Sequence, residues 1–333
     1  MPRMNPAELA PVIPVPVPDD ITFAEFYQIY YHDMEVRLKP ASLSSKQHVF
    51  SDKILPFFGT LRMRTITTQH VRKWQSVILR QNYSNTYQQL IDFQLSAFMN
   101  YASRYYDFPN PCTKAGHIGS SQTKKLSFWT LEEYERFISY FSGDPEAFTA
   151  FEILYWTGMR QGELLALTPA DIDAVHQQIS ITKSYTQIDG RDIISTPKTK
   201  KSIRRVNIPQ FLLDEINVYL HTRNLAPDQR MFERTRHYLF FKLNKGCQDS
   251  GVRKIRTHDI RHSHVSLLIN AGFSALDIAE RVGHESVSTT LDVYAHFFPD
   301  QQQMLIDRLE ELHAADTGEK ERKVKTADRH AKK

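Results

Sequence analysis

Apolar residues fall at helical spacing over most of the first hundred positions. Phe23, Phe26, Ile29 and Tyr30 make one stripe, and Thr22 with Glu25 supplies a capping box in front of it. A second helix is predicted from about Ser42 to Phe57, stopped at Gly59. A third follows Thr68 through Val71, Trp74, Val77 and Ile78, and a fourth runs from about Asn85 to Tyr106 with Leu95, Phe98, Met99, Ala102 and Tyr105 on its stripe. Four helices of this length form a small bundle, its aromatic stripes turned into the core. Pro109, Asn110 and Pro111 end the last helix. From Thr113 to Lys125 the chain is rich in Gly, Ser and Lys with little to bury, so 109–126 reads as an interdomain linker.

Beyond the linker a second capping box, Thr130 and Glu133, opens a helix, and another helix ends at Thr157-Gly158. The period then changes from helical to alternating over Ile179–Tyr185 and Arg204–Ile208, with Ile193 and Ile194 between them. This predicts one short antiparallel sheet whose last turn contains Pro197, Lys198 and Lys200. Helices resume from Phe211, from Thr257, from Ser274, around Thr290 and from Pro299. The expected fold is mainly α (α+β): a helical domain at 21–108, then a mostly helical domain at 127–313 carrying a small antiparallel sheet. Residues 1–20, broken by prolines, read as an extended lead-in, and 314–333 as a basic, disordered tail.

Composition narrows the class. No uninterrupted apolar run approaches the ~20 residues needed to cross a bilayer. Cys112 and Cys247 are too few for a disulfide framework or a cysteine-rich metal site, so a cytoplasmic location is expected. The formal net charge is +4, and residues 318–333 alone hold seven Lys/Arg against three Asp/Glu. The rest of the chain is therefore neutral, and any anionic polymer must be met by local patches. Two exist: Arg191, Lys198, Lys200, Lys201, Arg204 and Arg205 against Asp192, and Arg253, Lys254, Arg256 and Arg261 against Asp259. On density alone they are as consistent with solvated surface as with phosphate binding.

Several polar residues are left without a structural task. Arg160 follows a helix stop, with Glu163 three residues on; alone this is an ordinary helical ion pair. His258 and Arg261 are three apart at the start of a helix. His284 follows Gly283 at a helix end, and Tyr294 comes ten residues later. Jointly, the stretches TGMRQGELLAL (157–167), TPKTKKSIRRVNIP (196–209), THDIRHSH (257–264) and RVGHESVSTTLDVYAH (281–296) resemble the tyrosine recombinase (phage integrase) family. The resemblance covers the whole second domain and, more loosely, the first, which is similar to the family's core-type DNA-binding domain.

The resemblance implies a site-specific DNA recombinase working through a 3′-phosphotyrosine and a free 5′-hydroxyl. It makes Arg160, Lys198, His258, Arg261, His284 and Tyr294 the catalytic set, with Tyr294 the nucleophile and Glu163 supporting Arg160. Lys200 and Lys201 lie within reach on the same turn as Lys198. Lys200, Lys201, Arg204, Arg253 and Arg256 are the expected DNA-binding residues, and His262 and His264 are read as helix-face or core residues. The implied partners are double-stranded recombination sites, three further protomers in a synaptic homotetramer, and accessory bending or directionality factors, with no membrane. Independently, these residue types suit metal-free phosphodiester exchange without a cofactor. Guanidiniums grip non-bridging oxygens bidentately, histidine moves protons near neutral pH, and tyrosine, with a pKa of about 10, needs that help.

Three other readings are weighed. A zinc site at His258 and His262 has helical i, i+4 spacing but lacks a glutamate beside the first histidine and has Arg261 close by. A type IB topoisomerase shares the chemistry, and a DNA-binding protein that has lost activity would not keep all six residue types. Within the family, TTLDVYAH resembles integrases of phages and conjugative elements, with a Xer-like resolvase acting on core sites as the alternative.

Overall fold

Both capping boxes close as the sequence predicts: Thr22 Oγ1 accepts from the Glu25 N–H and Thr130 Oγ1 from the Glu133 N–H, while each glutamate returns a bond to the cap backbone. The computed structural model describes residues 17–121, 127–197 and 200–294, and beyond them Ile306, Leu309, Glu310 and His313. The chain divides into two units, Met1–Lys125 and Leu126–Lys333. Most of the expected lead-in and the whole of the basic tail lie outside the described residues. So does most of the helix expected from Pro299, although Ile306, Leu309, Glu310 and His313 are helical.

The first unit contains α1 (Phe23–Arg37), α2 (Pro40–Val49), α3 (Leu55–Phe58), α4 (Thr68–Leu79), α5 (Asn85–Tyr106) and α6 (Cys112–Ala115). The single helix expected from 42 to 57 is interrupted by a π turn, Phe50–Ile54. Pro56 is the cause, because it offers no N–H and its ring would strike the carbonyl one turn back; the helix widens ahead of it. Phe98 of α5 anchors the core, its ring centroid 4.4 Å from Phe23, 5.2 Å from Tyr30 and 5.5 Å from both Phe26 and Phe50. The aromatic stripes are core, as expected, except that Tyr105 is half exposed.

The linker expected at 109–126 is largely part of this unit. Cys112, Ala115 and Ile118 are buried in its core. The segment is also held by polar bonds: Gln75 Nε2 donates to the Gly116 carbonyl at 2.8 Å, and His117 Nδ1 meets Asp92 Oδ2 at 2.7 Å. Gly, Ser and Lys content concealed three apolar residues spaced three apart. Of the expected linker, 122–126 lies outside the described residues.

The second unit is built from α7 (Leu131–Ser139), α8 (Pro145–Thr157), α9 (Gln161–Leu164), β1 (Ile172–Asp173), β2 (Gln178–Ile181), β3 (Ser184–Ile188), β4 (Arg191–Ser195), β5 (Arg204–Asn207), α10 (Gln210–Arg223), α11 (Arg236–Ser250), α12 (Asp259–Asn270), α13 (Ala275–Val282) and α14 (Val287–Tyr294). The expected single sheet is two. Antiparallel β1-β2-β5 pairs Ile179 with Val206 and Ile181 with Arg204, while β3-β4 is a separate hairpin pairing Tyr185 with Ile194. The alternation 179, 181, 185 skips one inward place. Lys183 occupies it, and its ammonium leaves the ladder to meet Asp171 at 2.7 Å and Thr168 Oγ1 at 3.1 Å.

One helix, α11, was not expected. Its buried positions Leu239, Leu243, Gly246 and Cys247 have helical spacing, but the exposed Phe240 and Phe241 blur the stripe. Gly246 is a packing glycine, since a Cβ there would lie 2.7 Å from Phe137 Cε2 and 2.8 Å from the Phe141 ring. Alanine would gain roughly 1 kcal/mol of helix propensity but would push two core rings aside, costing about 1–3 kcal/mol. Gly246→Ala should therefore lower the urea midpoint of the second unit; a raised midpoint would mean the rings move freely.

Candidate active site

Two helix ends create the site. An α-helix leaves its last carbonyls unpaired and its C-terminus partially negative, a natural seat for cations. Here α8 and α13 end on Gly158 and Gly283, both in the left-handed region that favours glycine, with φ of 63° and 73°. Four arginines occupy the carbonyls they expose. Arg261 Nη1 donates to Gly158 at 2.8 Å and to Val282 at 2.7 Å. Arg204 Nε donates to Arg281 O at 2.9 Å, Arg160 Nη2 to Gly283 O at 3.4 Å, and Arg281 Nη2 to Trp156 O at 3.0 Å. Neither glycine has room to change. A Cβ on Gly158 would come within 2.5 Å of His264 Cδ2, and one on Gly283 within 3.1 Å of the Arg204 side chain.

Glu163 is the one carboxylate that any of these four guanidiniums is bonded to among the described residues. It is 2% exposed. Its Oε1 accepts from Arg160 Nη1 at 2.8 Å, and its Oε2 from the Arg160 backbone N–H and from Arg204 Nη2, each at 3.0 Å. Burial alone would raise its pKa, but Arg204 and Arg160 outweigh it and hold the carboxyl below its usual value. This fits the supporting task expected of Glu163. Arg204, expected on a DNA-facing surface, is instead buried in this ion pair, because a buried carboxylate with one half-exposed partner needs a second cation.

Arg261 is 3% exposed, and its Nη2 is buried with no hydrogen-bond partner among the described residues. Burial, then the fields of Arg160 and Arg204, pull its pKa down to about 9. A buried guanidinium nitrogen without an acceptor is costly, and an anion would relieve it.

His258 caps α12 at its N-terminus, one residue later than the expected cap, Thr257. Crowding by its surroundings and the nearby Arg261 hold its pKa below the usual value. The His284 backbone N–H donates to Ala279 O at 2.9 Å, and burial with Arg261 and Arg160 beside it brings its pKa to about 4. Tyr294 ends α14 at 1% exposure, packed with Val265, Ile269, Ile278 and Val282. Burial raises its pKa, although Arg261 opposes the shift. Lys198 lies outside the described residues, as does the Lys200 side chain. Lys201 Nζ reaches across to the Glu285 carbonyl at 2.8 Å, which ties its turn to the His284 loop.

The remaining basic candidates are partly engaged. Arg256 makes a bidentate pair with Asp259, and Arg253 donates to the Phe128 carbonyl and lies 3.6 Å from Glu133; both side chains stay more than half exposed. His264 is core, its Nε2 accepting from Arg281 Nε at 3.1 Å. His262 was expected on a helix face or in the core, yet its Nδ1 contacts the Tyr294 hydroxyl. Its place beside Arg261 and four residues after His258 was the available signal.

The model of the phage integrase family matches residues 128–301, and that of the phage integrase N-terminal SAM-like domain matches 22–79. The chain belongs to the phage integrase family. It is 33% identical over 309 residues to the ICEBs1 integrase of Bacillus subtilis, covering 88% of this chain and 83% of that protein. It is 22% identical to the integrase of Staphylococcus phage L54a, over 84% of this chain and 86% of the phage protein. Its fold is similar to that of the Tn1549 transposon integrase bound to transposon right end DNA, with a TM-score of 0.70 at 19% identity over 87% of this chain and all of that one. A dimer of λ integrase on a core site gives a TM-score of 0.61 at 16% identity, over 84% of this chain and 96% of that one.

Glu163→Gln tests the arginine cluster. At neutral pH it removes the charge two arginines share, which should destabilise the second unit by about 3–5 kcal/mol. Because the folded-state pKa of Glu163 is depressed, its stabilisation is present above the unfolded value of 4.5 and disappears as pH falls through the folded one. The gap in urea stability between wild type and variant should therefore be widest near neutrality and narrow on acidification. A gap independent of pH would assign the loss to packing.

Proposed function

We propose that this chain is a site-specific DNA recombinase of a mobile element, cutting and rejoining duplex DNA through a 3′-phosphotyrosine at Tyr294. The observation that carries the reading is the buried, unpartnered Nη2 of Arg261, in a cluster with more guanidiniums than carboxylates and within electrostatic reach of Tyr294. A phosphodiester is an anion with two non-bridging oxygens. Arg261 and the half-exposed Arg160 would take one or both, supplying fixed positive charge as the phosphorus becomes five-coordinate. No metal is needed for that task, because the charge is already built in.

In this mechanism the Tyr294 oxygen attacks phosphorus, the bond to the 5′-oxygen breaks, and a proton reaches that oxygen from a lysine on the β4–β5 turn, Lys198 by the family pattern. His258 and His284, both neutral near pH 7, would hydrogen-bond the phosphate and help move protons. The phosphotyrosine keeps the energy of the phosphodiester, so a 5′-hydroxyl can reverse the step without ATP. Lys201, Arg253 and Arg256, with Lys200, would meet the DNA backbone. The likeness to the ICEBs1 integrase spans both units and supports an integrating element over a resolvase. λ integrase forms a tetramer on a Holliday junction, and a tetramer on synapsed DNA is the assembly proposed here. Accessory bending or directionality factors and a cytoplasmic, nucleoid-associated location complete the proposal.

Two measurements test it on duplexes taken from DNA flanking the gene. Tyr294→Phe should bind DNA but form no covalent adduct, and EDTA should leave the wild type unaffected; an adduct from the variant, or a zinc requirement, overturns the reading. Lys198→Ala should cleave roughly 10²–10⁴ more slowly. A bridging 5′-sulfur, which leaves as a thiolate without a proton, should rescue it but not Arg160→Ala or Arg261→Ala. Rescue of Lys200→Ala or Lys201→Ala instead would move the acid along the turn, and rescue of none would remove it from this turn.

A further inference from the structure

The catalytic set implied by the family leaves one contact unexplained: the Tyr294 hydroxyl lies against Nδ1 of His262, a residue outside that set. We infer that His262 is a further catalytic residue, the group that receives the phenol proton as Tyr294 attacks; this rests on Tyr294 being the nucleophile.

Three observations support the direction of transfer. The first is the tautomer. His262 Nε2 faces Asp259 Oδ1 at 4.0 Å, and that buried carboxylate favours a proton on Nε2, leaving the Nδ1 lone pair to accept from the phenol. The second is charge. Burial, with His258, Arg256 and Arg261 nearby, keeps His262 neutral in the free protein, its pKa brought down to about 4. Asp259 on its own helix and the arriving phosphate act the other way, so proton affinity rises when a substrate is present. The third is geometry. The His262 and Tyr294 rings are 5.6 Å apart, and the His258 ring meets His262 edge-on with its centroid 5.1 Å away. His262 thus places an imidazole nitrogen on the hydroxyl of Tyr294.

The step balances. The Tyr294 O–H bond breaks and its proton passes to Nδ1, giving an imidazolium paired with Asp259. The phenolate oxygen bonds to phosphorus, the phosphorus–5′-oxygen bond breaks, and the leaving oxygen takes its proton from the turn lysine. On rejoining, the imidazolium returns the proton to the departing tyrosine.

The test uses the full chain and a nicked duplex, from the DNA flanking the gene, on which the wild type forms its covalent adduct. Single-turnover cleavage by His262→Ala should fall by roughly 10²–10⁴ and recover with added imidazole. His262→Gln keeps an acceptor for the phenol but cannot carry a proton, so it should remain equally slow. In both variants the rate should climb about tenfold per pH unit, following the phenolate fraction, while the wild type levels off. Wild-type cleavage by His262→Gln, or slow variants that keep the wild-type pH profile, would overturn the proposal and reduce His262 to a positioning residue. Failure of the underlying reading is separate: it appears as an adduct that persists in Tyr294→Phe.

Discussion

The second unit is organised around an excess of buried positive charge. Of Arg160, Arg204, Arg261 and Arg281, the first two bond to a single carboxylate, Glu163, and all four bond to backbone carbonyls at the ends of α8 and α13, with further bonds to Ser202, Asn207 and His264. Such an arrangement would be unstable if the carbonyls were ordinary ones already in a helical ladder. Helix termini change the balance, because their last carbonyls lack partners and carry the negative end of the macrodipole. The fold thus holds cations where it has unspent acceptors, and stops short of neutralising them. On the proposed function a phosphodiester would bring the missing charge.

This constraint explains features that would otherwise look unrelated. Gly158 and Gly283 must turn through the left-handed region so that their carbonyls, and those just before them, face the guanidiniums. His264 fills the space beside Gly158 and accepts from Arg281, which in turn bonds to Asn207 and Trp156. The small sheet contributes through its end, where β5 begins with Arg204 and delivers it to Glu163. Even the turn before β5 is tied in, with Lys201 bonded to the Glu285 carbonyl.

How much of this was legible in the sequence depends on the range of the interaction. Local signals worked: both capping boxes, the helix stop at Gly158, the glycine before His284, and the aromatic stripes that meet at Phe98. Interactions between distant segments did not. Arg204 looks like any member of a basic run, and only burial against Glu163, 41 residues away, distinguishes it. Residues 112–118 look like a linker because Cys112, Ala115 and Ile118 are few and diluted by polar neighbours. The helix α11 was hidden by exposed Phe240 and Phe241 on the face that should have been polar. Motif order, by contrast, recovers the family, because its residues are set by chemistry at one point in space rather than by packing along one element.

The protonation states of the site follow first from burial and then from the same charge excess, and they bear on the proposed mechanism. Burial, and after it the charged groups beside them, suppresses protonation of His258, His262 and His284, so the free protein keeps neutral imidazoles near pH 7. Burial keeps Tyr294 a phenol. Neither state favours attack: the nucleophile holds its proton and the histidines have little affinity for it. On the proposed mechanism a phosphodiester would change the second of these, because its negative charge offsets the arginines and raises the proton affinity of the imidazoles in their field, while Arg261 still favours the phenolate. On that mechanism the proton affinity of the base would be tied to the presence of the substrate phosphate. A chain that stores an activated phenolate would hold a reactive group with no DNA to receive it; on the proposed mechanism this one would complete its base only when the anion it cleaves is in place.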